Sequence, residues 1–84
     1  MRFTIEQRHL TDVAGKPVSD DLSFHTCEAN DADDAVHVFA RTQSAELIGN
    51  VLRFPGFQAI ATMRNAEGVF TLQVGPSSQQ LHLR

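Results

Sequence analysis

The sequence predicts an α+β domain in which one helix packs on one face of an antiparallel sheet of four or five strands, in the chain order β-β-α-β-β-β. Three observations carry this. Phe3 and Ile5 alternate with Arg2, Thr4 and Glu6 near the start, Ala32, Ala35, Val36 and Phe39 repeat at helical spacing in the middle, and three apolar segments separated by two turn signals fill the stretch from Ala45 to Val74. The periods of 2 and 3.6 distinguish strand from helix because side chains alternate across a strand and recur every three or four residues along a helix.

The first strand is expected over residues 2–10, RFTIEQRHL, with one face wet. Gly15 and Pro17, flanked by Asp12 and by Ser19, Asp20 and Asp21, supply turn chemistry and make TDVAGKPVSDD a surface loop. A second strand follows over 21–28, in which Leu22, Phe24 and Thr26 alternate with Ser23, His25 and Cys27. Paired with the first, it is expected to bury Leu22 and Phe24 beside Phe3 and Ile5.

Asn30 and Asp33 have the outline of a capping pair, with Asp31, Asp33 and Asp34 placed in the positive first turn of the helix. The apolar stripe fails at Gln43 and Glu46, so the helix is expected to end near Thr42. A competing reading continues it through SAELIG and uses Gly49 as the C-terminal cap. The shorter helix is preferred because the longer one sets polar groups on the buried stripe.

The segments AELIGNVLRF, FQAIATM and VFTLQV read as a three-stranded meander. Pro55-Gly56 has the residues of a type II turn. If Phe54 faces Phe57 across it, Val51 lies opposite Ile60, and a loop centred on Ala66 sets Ile60 opposite Leu72. One face then carries Leu47, Val51, Ile60, Phe70, Leu72 and Val74, a floor for the helix. The other carries Ile48, Leu52, Phe54, Phe57, Ala59, Ala61 and Met63 beside the milder Val69, Thr71 and Gln73. A water-covered face reads mostly polar, and this one does not. A single helix cannot cover both, which leaves either a strongly curled sheet or a partner subunit. Residues 1–76 are read as one compact domain, and 77–84 as a polar tail, either a frayed end or an extra edge strand.

At 84 residues the chain has room for one hydrophobic core. With 42% hydrophobic and 20% charged residues it falls outside the disordered and collagen-like classes. Six Phe without Tyr or Trp place the aromatics in an interior or an interface, since none carries a polar tip. The net charge of -3 argues against nucleic acid and anionic membrane as partners. Arg41, Arg53 and Arg64 are read as solvating the rim of an apolar interface rather than meeting phosphates. The lone Cys27 cannot form an internal disulfide, and there is no signal-like opening or membrane-length apolar run of about 18 residues. A cytoplasmic location is the expectation.

His25, Cys27 and His37 are the best candidates for chemistry, because thiolate and imidazole together suit zinc and a thiol beside a base makes a nucleophile. Their spacing fits no familiar zinc pattern. The acidic run Glu28, Asp31, Asp33 and Asp34 lacks the central Gly of a calcium loop. No phosphate-cradling glycine motif and no HExxH occur, so no cofactor and no metal are expected. The expected role is a small homo-oligomeric interaction or small-ligand-binding module, with an interface on Leu52, Phe54, Phe57, Ala61 and Met63. Two alternatives stand beside it: an enzyme with a cleft shared between subunits that uses His25, Cys27 and His37, and a subunit of a larger hetero-complex.

Overall fold

The structure, a computed structural model, describes residues 1–18 and 21–77. Its elements follow the expected order: β1 (Arg2–Thr11), β2 (Leu22–Glu28), α1 (Ala32–Thr42), β3 (Glu46–Phe54), β4 (Gln58–Asn65) and β5 (Gly68–Pro76). The strands form one antiparallel sheet in the spatial order β2-β1-β5-β4-β3. The chain therefore closes a hairpin at one edge, crosses the sheet through α1, and returns strand by strand from the opposite edge until β5 meets β1.

The core lies between α1 and one sheet face. Phe3 and Ile5 of β1, Ala35, Val36 and Phe39 of α1, Ala59, Ala61 and Met63 of β4, and Phe70, Leu72 and Val74 of β5 are all buried there. Full burial of one such large side chain is worth about 1.5–3 kcal/mol, so this layer and not helix propensity holds an 11-residue helix in place.

The helix has the shorter extent, and β3 begins at Glu46. Its cap is Asp31 rather than the expected Asn30. Asp31 Oδ1 accepts from the Asp34 amide at 2.8 Å, and Asp34 Oδ2 accepts from the Asn30 amide at 2.9 Å. The two carboxylates thus serve donors that the helix itself leaves without partners. In the long β1–β2 loop, Asp12 Oδ1 accepts from the amides of Ala14 and Lys16, each at 2.9 Å, and Gly15 takes φ +82°.

Two expected face assignments are overturned. The β1–β2 register pairs Phe3 with Cys27 and Ile5 with His25. Ser23, His25 and Cys27 therefore lie on the helix side, while Leu22 and Phe24, expected beside Phe3 and Ile5, point to the other side and are exposed. In the meander, Phe54 pairs with Gln58 rather than Phe57, leaving the loop Pro55-Gly56-Phe57 one residue longer than a two-residue turn. That extra residue turns β4 over relative to β3, and the two-residue turn at Ala66-Glu67, in place of the expected loop centred on Ala66, turns it over relative to β5, because side-chain alternation has period 2. Ala61 now pairs with Leu72, and Ile60 with Gln73. Ala59, Ala61 and Met63 move under the helix, and Ile60 moves out. The expected polar tail falls, apart from Ser77, outside the described residues.

Candidate interaction surface

The face away from α1 has a graded composition. Its centre is polar: Thr4, Glu6 and Arg8 of β1 lie beside Gly75, Gln73 and Thr71 of β5. Its margins are apolar. Leu22 and Phe24 stand on β2 at one edge, and Ile48, Leu52 and Phe54 on β3 at the other, all exposed. Phe24 is 62% exposed, Leu52 56% and Phe54 46%. Phe24 and Phe54 border a single trough of about 190 Å³ that Glu6, Ile60 and Gln73 also line.

Of the residues expected to form an interface, the structure brings Leu52 and Phe54 to this open face and Phe57, 57% exposed, to the adjoining loop. Ala61 and Met63 are 2% and 1% exposed beneath α1. They are withdrawn from the surface by the β4 reversal. Phe24, Leu22 and Ile60 take their place. The signal for Phe24 and Leu22 was present in the alternation of β2, but that alternation does not say which side the helix occupies.

Phe54 sits at a corner. It borders the trough on one side and, on the other, a cleft with Phe57, Asp33 and Arg53 at the start of α1. Arg53 Nη2 is 3.1 Å from Asp33 Oδ2, and Arg64 Nη2 is 2.9 Å from Glu46 Oε1. These are rim pairs, each worth about 0–1 kcal/mol in water.

The candidates for chemistry are distributed differently. His25 Nε2 donates to Gln7 Oε1 at 3.0 Å, with Ser23 Oγ 3.1 Å from the same nitrogen. Its ring lies 4.8 Å from that of Phe39, centroid to centroid. Gln7 is the buried polar residue of the core layer, and Ser23 Oγ also donates to its oxygen at 3.3 Å. His25 thus helps satisfy a buried amide, which an apolar interior requires. Cys27 is partly buried against the core. Burial first, then the Asp34 and Glu28 carboxylates, push its thiol pKa up, away from the thiolate that nucleophilic attack and metal binding need. His37 is exposed on α1, its Nδ1 2.8 Å from the Asp33 carbonyl oxygen, to which it donates. Among the described residues no group of three or more His, Cys, Asp or Glu stands where it would hold a metal ion. Nor is any helix there long and apolar enough to cross a membrane. Comparison with known proteins gives no relative to reason from: no protein-family model matches the chain, no curated protein matches it, and no solved structure matches its fold.

Proposed function

We propose that the chain is an interaction module that associates with copies of itself through the open face of its sheet. The observation that carries this reading is the exposure of Phe24, Leu52 and Phe54 on a face that no described element covers. A second copy laid face to face, about 10 Å away, shelters the apolar margins of both sheets, and a two-fold arrangement makes the contact self-complementary. The polar centre formed by Thr71, Gln73 and Glu6 gives the contact the mixed character of a reversible interface rather than that of a divided core. The free thiol of Cys27 supports a reducing, cytoplasmic setting.

Sedimentation equilibrium tests the reading. The chain is expected to associate reversibly, and Phe54→Asp to weaken association about tenfold or more, because a carboxylate in a dry contact loses hydration without a partner. The fold itself should change by no more than about 0.5 kcal/mol, as for other surface substitutions. A single 9.3 kDa species at every concentration overturns the reading.

A further inference from the structure

The two edges of the sheet differ in how they meet solvent. In β3 the pairing passes from Ile48↔Thr62 to Leu52↔Ile60, so that Gly49, Asn50 and Val51 stand opposite Ala61 alone, with Gly49 at φ +77°. Glu46 and Arg53 add charges to the same strand. Bulges and charges of this kind keep an edge from pairing with another chain. β2, the other edge, has none of them before its last residue: Leu22–Glu28 contains no proline, keeps one register against β1 throughout, and carries no carboxylate, lysine or arginine until Glu28.

The register also fixes where the free backbone groups of β2 point. The Ala29 amide donates to the Met1 carbonyl, and the His9 amide to the Asp21 carbonyl, both at 3.0 Å. Hydrogen-bonded pairs alternate with non-bonded ones in an antiparallel ladder. The pairs Phe3–Cys27, Ile5–His25 and Gln7–Ser23 therefore exchange bonds, and the N–H and C=O groups of Leu22, Phe24, Thr26 and Glu28 point out of the sheet. Leu22 and Phe24 are at the same time exposed on the open face.

We propose that β2 pairs antiparallel with β2 of a second copy about a two-fold axis at His25, joining two sheets into one. This axis pairs the strand end to end, with Leu22 opposite the partner's Glu28 and Phe24 opposite the partner's Thr26. Outward donors then meet outward acceptors along the whole strand. The two Phe24 side chains become diagonal neighbours, about 7–8 Å apart and within reach of each other. The partner's Glu28 comes beside Leu22, whose neighbour on β1 is Arg8, so the two opposite charges stand two strand spacings, roughly 9.6 Å, apart. The proposal rests on the self-association reading but uses the edge of the sheet rather than its face, and the two surfaces are separable by experiment.

Amide hydrogen exchange of the full chain, followed by NMR at high and low protein concentration, reads the edge directly. The Phe24 and Thr26 amides are expected to exchange about tenfold or more slower at high concentration, while the His25 amide, bonded to Ile5 within one copy, stays protected at both. Thr26→Pro removes an outward donor that β1 does not use, a position where an edge strand tolerates proline. It should weaken association about tenfold or more in sedimentation equilibrium and leave the far-ultraviolet dichroism unchanged. Should that variant fail to fold, Thr26→Lys, which keeps the backbone and places a charge on the edge, is expected to weaken association likewise. Association with fast-exchanging Phe24 and Thr26 amides overturns edge pairing while sparing self-association through the face. Protection of those amides without any change on dilution overturns the edge pairing between copies, and a monomer at all concentrations overturns both.

Discussion

Cys27 and His25 show how much a residue's chemistry depends on the strand it is paired with. Both sit on the helix side because Phe3 and Ile5 stand opposite them, although Leu22 and Phe24 are the more apolar set in the same strand. Alternation in LSFHTCE is plain from the sequence, but its phase is set by pairing with β1 and by the polar contacts of Gln7, Ser23 and His25, which join residues far apart in the chain. The result for Cys27 is a thiol whose pKa is raised by burial, then by Asp34 and Glu28. Above the ordinary thiol pKa the unfolded chain has released this proton and the native protein still holds it. The native state then binds more protons, and stability falls as pH rises through that interval. Urea unfolding at increasing alkaline pH is expected to show this decline, and Cys27→Ala to flatten it relative to neutral pH. Alkylation of Cys27 in the folded protein at neutral pH should be slower than that of an unfolded control.

At the scale of elements, the extents were legible and two of the connections were not. The helix could be placed because its stripe stops at Gln43, yet its ending uses no glycine. Ser44 adopts φ +51°, the Ala45 amide donates to the Ala40 carbonyl at 2.9 Å, and the Ser44 amide donates to the Arg41 carbonyl at 3.3 Å. This is the pairing of a Schellman ending, whose left-handed position favours glycine. Gly49, the cap of the longer-helix alternative, instead takes its positive φ in the β3 bulge. Ser44→Gly is expected to raise the unfolding free energy by about 1 kcal/mol, the approximate cost of a left-handed L-residue, measured as a higher urea midpoint with unchanged slope. The β3–β4 connection failed for a related reason. Pro55-Gly56 marks a turn by composition, but the third loop residue is Phe57, whose positive φ no sequence rule anticipates. That residue, together with the two-residue Ala66-Glu67 turn on the other side of β4, decides which face of β4 is buried.

On the scale of the whole molecule, the proposed assembly gives Phe57 a bearing on stability. It holds φ +59° while its ring is 57% exposed. A bulky residue in that region costs about 1–2 kcal/mol, and so exposed a ring recovers little of it within one copy. Such strain at a surface points toward a contact that needs the side chain where it is. Phe57→Gly relieves the backbone and deletes the ring, so its two effects should oppose each other. At high dilution the variant is expected to be more stable than the unmodified chain by about 1 kcal/mol. The proposed association would stabilise the folded state by mass action, and the melting temperature of the unmodified chain is then expected to rise with protein concentration. For Phe57→Gly that rise should be shallower, and the two melting curves should converge or cross as concentration increases. Thermal unfolding over a wide concentration range checks both halves. A variant that is more stable by the same margin at every concentration would show Phe57 to be strained without serving the assembly.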